Sequence, residues 1–285
     1  MTNHPLVLSA RQVMPFLEAR KQHAESAVTS LDLGMTEQEV MLGQRGAMLP
    51  SGSTLSWEDM TQIAANPEAC WLVAENTVQR IHAFSQEFQR PYSLLATESA
   101  PTLINAGFTM HRIKRSTPSL DTASKMRAAT PVRGRVLDTT TGLGYTAIEA
   151  AKTAGEVTTI EIDQTVLDIA RLNPWSHGLF THPRITQLVG DSYREIQAMD
   201  TASFDLVMHD PPTFSLAGEL YSGEFYRQVF RVLRANGRLF HYIGNPESRY
   251  GQSVTRGVIR RLKEVGFTRL ISKPEAFAVV ASKQR

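Results

Sequence analysis

Four carboxylate side chains lie at the ends of four apolar runs in the second half of the chain. The runs are typical of buried strands, and the acids are Asp138, Glu161, Asp191 and Asp210. A carboxylate can hold an ammonium group by charge, or a pair of ribose hydroxyls by hydrogen bonds. Ligands of open α/β sheets bind at the carboxyl ends of the strands. The four acids therefore predict one crevice for a nucleoside-like ligand.

A glycine-rich turn follows the first of these strands. Residues 138–147 read DTTTGLGYTA, and small residues open a helix after Gly144. Glycine permits a positive φ and a close approach of ligand to backbone, while the helix start offers unpaired N–H groups. Ala147 stands where a third glycine of a dinucleotide-binding turn is expected, a replacement that such turns tolerate. Asp138 would repel a pyrophosphate and attract an ammonium, so the predicted cofactor is a nucleoside that bears a cation.

From about Val132 to Lys283 the chain resembles the class I S-adenosylmethionine-dependent methyltransferases. The motifs LDTTTGLGYTAIEA and HDPPTFSLAGELYS support this resemblance, and their combination is similar to a group of predicted methyltransferases. The resemblance implies an α/β fold with a Rossmann-like, doubly wound sheet of seven strands. The sheet would end in a reversed hairpin over 268–282, which turns about Lys273-Pro274-Glu275.

The same resemblance implies S-adenosyl-L-methionine as the cofactor. Asp138 would lie at its methionine end, Glu161 at the ribose and Asp191 at the adenine amino group. The full set of expected cofactor-binding residues is Asp138, Thr140, Gly142, Gly144, Tyr145, Glu161, Ile162, Asp191 and Ser192.

The chemistry is expected at residues 209–214, HDPPTF. In the resembled family, an acid or amide followed by Pro-Pro and an aromatic residue marks enzymes that methylate a planar amino group. Hydrogen bonds to Asp210 and to the Pro211 carbonyl would turn the delocalised lone pair of that nitrogen towards the methyl group. The aromatic residue comes one place later than usual, because Thr213 precedes Phe214. The expected catalytic residues are Asp210, Pro211, Pro212 and Phe214, with Tyr221 as another possible stacking face.

Three functions remain open on these residues. The first is N-methylation of an exocyclic amine of a nucleic-acid base, with RNA preferred as the partner; a protein or small-molecule amine is a variant of it. The second is an aminopropyltransferase that uses decarboxylated S-adenosylmethionine. Asp138 argues against it, because it suits an intact methionine cation, and no paired acids are evident around Asp210. The third is a non-catalytic S-adenosylmethionine-binding scaffold, which would have no use for the Asp-Pro-Pro turn.

The charge of the chain is divided unevenly. Residues 1–110 contain 6 Lys and Arg against 11 Asp and Glu, whereas residues 111–285 contain 24 against 17. A basic surface beside a crevice suits a phosphate-bearing substrate, although solvated arginine faces are common on helices. Two basic clusters are candidates for nucleic-acid contact: Arg112, Lys114, Arg115, Lys125, Arg127, Arg133 and Arg135, and then Arg256, Arg260, Arg261 and Lys263.

Residues 1–120 predict a smaller α+β domain that shapes the substrate site, and residues 121–285 the cofactor-binding domain. The patterns over 9–26, 56–66 and 101–107 predict helices. Those over 29–33 and 40–49 predict strands, and 71–74 with 78–84 a hairpin. The first residues lack a signal peptide, and no apolar run is long enough to span a membrane. With a single cysteine, this composition predicts a cytoplasmic protein.

Other reactive residue types predict structural roles. His209 is interpreted as a pocket-lining residue rather than a base, and Cys70, in an apolar run, as a buried structural cysteine. Phe225 lies four residues before Val229 on a predicted helix and is assigned to the core. No acid or cysteine stands at metal-ligand spacing from His177 and His182, so no metal is expected.

Overall fold

A computed structural model describes residues 5–74, 77–214, 216–245 and 247–284. The chain forms two compact units: Met1–Ser119 with Thr165–His177, and Leu120–Gln164 with Gly178–Arg285. Among the described residues, no helix is both long and apolar enough to cross a membrane. The same part of the chain contains no group of three or more His, Cys, Asp or Glu side chains that could hold a metal ion.

The first unit is a mixture of short antiparallel strands and two helices. Its elements are β1 (Leu6–Leu8), α1 (Ala10–Lys21), β2 (Ser26–Thr29), β3 (Gln38–Met41), β4 (Gly46–Met48), β5 (Thr54–Ser56), α2 (Trp57–Ala64), β6 (Trp71–Ala74), β7 (Thr77–Arg80), β8 (His82–Ser85), β9 (Arg90–Leu95), β10 (Thr102–Asn105) and β11 (Phe108–Thr109). Phe16, Met60 and Ile63 are fully buried in its core. Cys70 is buried as well, and burial raises the pKa of its thiol. These observations agree with a structural role for that cysteine.

The local patterns of this unit are confirmed in part. Helices α1 and α2 lie within the ranges predicted over 9–26 and 56–66 and are capped by Ser9 and Ser56, and β6 pairs with β7 as the predicted hairpin. The helix predicted over 101–107 is wrong, because β10 pairs with β9 there and Gly107, with a φ of +89°, lies in a turn to β11. The strand predicted over 29–33 is displaced, since β2 ends at Thr29. The strand predicted over 40–49 is confirmed in part, since this range contains β4 and the last two residues of β3. The role proposed for the N-terminal domain stays a prediction.

The second unit alternates strands and helices along most of its length. Its elements are α3 (Pro118–Ala129), β12 (Arg135–Asp138), α4 (Tyr145–Ala151), β13 (Glu156–Glu161), α5 (Gln164–Leu172), α6 (His177–Thr181), β14 (Ile185–Val189), α7 (Ser192–Ala198), β15 (Phe204–His209), α8 (Gly223–Val232), β16 (Leu233–Tyr242), α9 (Arg249–Val265), β17 (Thr268–Lys273) and β18 (Ala278–Ser282). The first two residues of α3 and all but the first residue of α5 are grouped with the other unit.

One seven-stranded sheet organises this unit, in the order β14-β13-β12-β15-β16-β18-β17. The first five strands of that order run parallel, whereas β18 is antiparallel to both β16 and β17. The predicted Rossmann-like sheet with a reversed terminal hairpin is therefore confirmed. The order of strands reverses on either side of β12, and ligands of such sheets bind at the carboxyl ends of the strands at this switch point.

Apolar side chains of the helices and strands fill the core of the sheet. Val136 and Leu137 of β12 and Val207 of β15 are fully buried, as expected for strands with helices on both faces. On α8, Phe225 and Val229 are fully buried four residues apart, which confirms Phe225 as a core residue. This packing fixes the strand ends from which the candidate site is built.

Candidate active site

The glycine-rich turn lies at the carboxyl end of β12. Gly142 and Gly144 have φ angles of +53° and +77°, a region that side chains with a Cβ rarely adopt. A Cβ on Gly144 would come within 2.7 Å of the Leu179 side chain. Tyr145, which begins α4, is buried. The turn therefore needs glycine at both positions for backbone and packing reasons.

Asp138 is buried beneath this turn. Its Oδ2 accepts hydrogen bonds from the hydroxyls of Thr159, at 3.0 Å, and Thr146, at 3.3 Å. Its Oδ1 is buried without a hydrogen-bond partner of normal geometry among the described residues. Burial, together with the charge of Asp210, raises the pKa of this carboxyl to about 7. An ammonium group next to Oδ1 would relieve both effects, so the residue suits a cationic ligand.

Glu161 ends the neighbouring strand β13. Its Oε2 accepts the backbone N–H of Gly142 at 2.8 Å, and its Oε1 accepts that of Asp163 at 3.2 Å. Burial raises the pKa of Glu161 to about 7. The next side chain, Ile162, is 45% exposed and offers an apolar surface beside the carboxylate. A carboxylate and an apolar face are the groups that a nucleoside needs for its ribose and its base.

Three expected cofactor residues support neighbouring backbone. Asp191 caps α7, where its Oδ1 accepts the N–H of Tyr193 at 2.9 Å. The hydroxyl of Ser192 is buried and donates to the Thr139 carbonyl. Thr140 donates from its hydroxyl to the backbone carbonyl of Asp210 at 2.8 Å. These contacts connect the glycine-rich turn to the ends of β14 and β15.

Asp210, directly after β15, takes part in a buried ion cluster. The ammonium of Lys125 lies 2.5 Å from Asp210 Oδ2 and 2.9 Å from Asp121 Oδ2. The Lys125 side chain is 2% exposed and that of Asp121 is fully buried. The ammonium is also 4.9 Å from the ring centroid of Tyr242. Burial alone would lower the pKa of Lys125, but the two carboxylates outweigh it and raise the pKa. The lysine is therefore charged and bridges two acids.

Sequence reasoning missed this cluster. Lys125 had been assigned to a basic surface, which is wrong because its side chain is buried. Asp121 had no assigned role, although the Asp121 to Lys125 spacing of i to i+4 is a known pairing signal on helices. The contact of Lys125 with Asp210 spans 85 positions and leaves no local signal in the chain. Paired acids are thus present around Asp210, contrary to the expectation from the sequence.

The turn after Asp210 is held by aromatic side chains. The hydroxyl of Tyr221 donates to the Pro212 carbonyl at 2.9 Å, and this ring is buried. Phe214 is 46% exposed and meets Tyr221 edge to face at 5.5 Å between ring centroids. Phe214 is therefore the more accessible of the two rings. Pro211 and Pro212 follow Asp210 directly and shape the turn.

His209 is fully buried at the end of β15. Its Nε2 donates to the Leu220 carbonyl at 2.9 Å, and its Nδ1 lies 2.7 Å from the Thr139 hydroxyl. Burial lowers the pKa of His209 to about 3. Both ring nitrogens are used within the protein and the ring stays neutral. These contacts agree with a structural role rather than that of a base.

Comparisons with known proteins identify the type of domain. Residues 137–272 match the family model described as the spermine/spermidine synthase domain. The uncharacterized protein MJ1233 of Methanocaldococcus jannaschii is 39% identical over 274 residues, which cover 94% of this chain and 93% of that protein. Polyamine aminopropyltransferase 2 of Streptomyces coelicolor is 32% identical over 123 residues, 40% of this chain but 22% of that enzyme.

A crystal structure of spermidine synthase in complex with the transition-state analogue AdoDATO has a TM-score of 0.58 at 19% identity, over 73% of this chain and 77% of that one. That likeness supports the fold.

These comparisons correct the functional expectations. N-methylation of a nucleic-acid base and RNA as a partner are wrong, because the matched domain is described as that of spermine/spermidine synthases, and the similar proteins with a named activity include polyamine aminopropyltransferases and putrescine N-methyltransferases. The prediction of an enzyme is confirmed, but that of a methyltransferase is not. The predicted cofactor, S-adenosyl-L-methionine, is confirmed only as to the general class of donor. The error arose because the glycine-rich turn and strand-end acids are common to the fold and do not distinguish its donors.

The chain belongs to the same family as the Methanocaldococcus jannaschii protein, and its residues 137–272 match the spermine/spermidine synthase domain on a class I methyltransferase-like fold.

Proposed function

We propose that the protein transfers an aminopropyl group from decarboxylated S-adenosylmethionine to an amine. The observation that carries the proposal is the presence of two carboxylates, Asp138 and Asp210, at the switch point of a spermine/spermidine synthase domain. One carboxylate suits the cation of the donor, and the other suits an amine acceptor.

The charge around Asp138 favours the decarboxylated donor. An intact methionine carries a carboxylate next to its ammonium, whereas the decarboxylated compound keeps only the ammonium and the sulfonium. The charge of Asp210 already opposes ionisation of Asp138, and the ammonium of Lys125 is engaged by Asp121 and Asp210. A substrate carboxylate would add a further negative charge here, so a donor without it is favoured.

The remaining donor contacts are assigned to the residues expected from the sequence. Glu161 would hold the ribose hydroxyls, and the exposed side chain of Ile162 would lie against the adenine. The proposed donor-binding set is Asp138, Thr140, Gly142, Gly144, Tyr145, Glu161, Ile162, Asp191 and Ser192. The donor supplies an activated carbon, because its sulfonium is a good leaving group.

Asp210 is assigned to the acceptor. In the transfer, the amine nitrogen bonds to the propyl carbon, the carbon–sulfur bond breaks, and 5′-methylthioadenosine leaves with the electron pair. The Asp210 carboxylate accepts a hydrogen bond from the attacking amine and takes up its proton. Thr140 and Lys125 fix the backbone and the side chain of Asp210. His209, with a pKa lowered to about 3, cannot take up the proton near neutral pH.

A donor competition tests this proposal. The purified protein is incubated with decarboxylated S-adenosylmethionine or with the intact compound, together with a panel of diamines and aminocarboxylates. We expect 5′-methylthioadenosine from the decarboxylated donor and no S-adenosylhomocysteine from the intact one. Release of S-adenosylhomocysteine as the main product would overturn the proposal.

Donor affinity should rise with pH between about 6 and 8. Asp138 and Glu161 both have a pKa raised to about 7, so each becomes a carboxylate across this range. Affinity for decarboxylated S-adenosylmethionine should increase by up to about tenfold per pH unit for each group that must ionise. 5′-Methylthioadenosine has the ribose but no cation, so it reports on Glu161 alone. In Asp138→Asn the pH slope for the donor should fall to that of 5′-methylthioadenosine, as measured by calorimetry. An unchanged slope in that variant would remove Asp138 from the donor site.

A further inference from the structure

A positively charged cavity lies next to the turn that follows Asp210. It has a volume of about 560 Å³ and is lined by Phe214 and by α9, mainly through Ser253, Arg256, Gly257, Arg260 and Arg261. This volume is in the range of small-molecule sites. The lining positions 253, 256, 257, 260 and 261 on α9 follow the three- and four-residue repeat of one helix face. None of the residues that line the cavity is acidic.

The charges of these arginines are poorly compensated within the protein. Arg256 has no ion-pair partner among the described residues, and Arg260 meets only Glu264, at 3.7 Å between two exposed side chains. The Nε of Arg261 is buried and has no hydrogen-bond partner in that same part of the chain. Like charges four positions apart on a helix destabilise it. A buried guanidinium nitrogen without an acceptor adds a further penalty. An anionic ligand in the cavity would compensate the charges of Arg256 and Arg260.

The cavity and the acceptor residue share one wall. Phe214 lines the cavity and stands four residues after Asp210. Four residues span at most about 14 Å. Tyr221 holds this segment, since it bonds the Pro212 carbonyl and contacts the Phe214 ring. Phe214 therefore places one wall of the cavity within about 14 Å of Asp210.

The ion cluster at Asp210 is a second argument for an acceptor with an anionic far end. A diamine brings two ammonium groups and needs a carboxylate for each. Here the Lys125 ammonium already bridges Asp121 and Asp210. It therefore neutralises much of the negative charge of these carboxylates, which a second ammonium of the acceptor would need. The far end of the acceptor would then meet arginines rather than acids.

We propose that the acceptor is a primary amine that bears a carboxylate or a phosphate, with its amine at Asp210 and its anion held by Arg256, Arg260 and Arg261. This inference rests on the proposed function, because it assigns the acceptor of the same transfer. It departs from a free diamine as the acceptor and makes the three arginines specificity residues. Guanidinium groups bind carboxylates and phosphates by paired, charge-assisted hydrogen bonds.

Calorimetry with matched compounds tests this inference. The probes are 4-aminobutyrate against 1,4-diaminobutane, 6-aminohexanoate against 1,6-diaminohexane, and 3-aminopropyl phosphate against 3-aminopropanol. Titrations use the full chain, alone and with saturating 5′-methylthioadenosine. We expect the anionic member of at least one pair to bind about tenfold or more tightly than its partner. The carboxylate and phosphate pairs distinguish the two kinds of anion.

Variants of α9 complete the test. Arg256→Gln and Arg261→Gln should each weaken binding of the preferred anionic probe about tenfold. Lys263→Gln is the matched control, because Lys263 is an exposed cation of the same helix and does not line the cavity. The affinity of this variant for the anionic probe should equal that of the wild type. Diamines that bind as tightly as the anionic probes, equal affinities in all variants, or no binding of any anionic probe would overturn the inference. Since these readouts measure binding, failure of decarboxylated S-adenosylmethionine as a donor would refute the proposed function separately.

Discussion

Replacing Asp210 by asparagine should lower the rate of aminopropyl transfer about 10³-fold. Asparagine has the same size and can still contact Lys125 and the Thr140-bound backbone, but its amide cannot take up a proton from the attacking amine. Affinity for the donor should stay nearly unchanged, because the cation of the donor is assigned to Asp138. The measurement is the rate of 5′-methylthioadenosine release, with the donor dissociation constant determined by calorimetry.

The exposed carboxylate of Asp200 provides the control for this variant. Asp200 lies just before β15, on a surface turn, and Asp200→Asn should leave both the rate and the donor affinity at their wild-type values. If Asp210→Asn weakened donor binding as much as transfer, Asp210 would belong to the donor site. If the rate changed less than about tenfold, the carboxylate would have no role in proton transfer.

Strands β12 to β15 of the second unit could be predicted because each of them leaves a local signal. β12 and β15 are short apolar runs with an acid at or directly after their last residue, and parallel strands covered on both faces need such runs. The hairpin of β17 and β18 was predicted from the resemblance to the methyltransferase family, which implies a reversed hairpin about Pro274. Local pattern and final structure agree at these positions because burial and strand geometry favour the same residues.

The strands of the N-terminal unit were harder to predict because they are short. Residues 102–105 have the sequence TLIN, which is compatible with a helix start or a strand. Pairing with β9 determines the outcome, and this tertiary contact outweighs local preference. Gly107 is the last residue of the helix predicted over 101–107, but it supplies the positive φ of a hairpin turn.

The candidate site was predicted only as far as its strand ends. Asp138 and Glu161 lie at the ends of β12 and β13, as the sequence indicated. The partners of Asp210 could not be predicted, since Lys125 reaches it from α3 across a long stretch of chain. Without that contact the sequence shows no second acid near Asp210. This was one of two arguments, the other being Asp138, that ranked the aminopropyltransferase below the methyltransferase. The donor could not be predicted correctly because it depends on how the charges are arranged in three dimensions. The spacing of residues along the chain does not give that arrangement.

Replacing Lys125 by methionine should destabilise the protein by about 3–5 kcal/mol, because it leaves two carboxylates in a buried site without their shared cation. Methionine has a similar length and no charge, so the loss of packing is small. Urea unfolding, followed by circular dichroism, measures the change in the free energy of unfolding.

Lys152 is the matched control, because it also pairs with a carboxylate on its own helix but in solvent. It lies 2.6 Å from Glu149, with 62% of its side chain exposed, and Lys152→Met should change stability by less than about 1 kcal/mol. Adding Asp121→Asn to Lys125→Met should recover part of the loss, because it removes one of the two uncompensated charges. A loss no larger than that of the control would mean that the bridge adds nothing to folding. The contrast between the two lysines follows from burial, because a carboxylate that has lost its cation is solvated at Glu149 but not at Asp121.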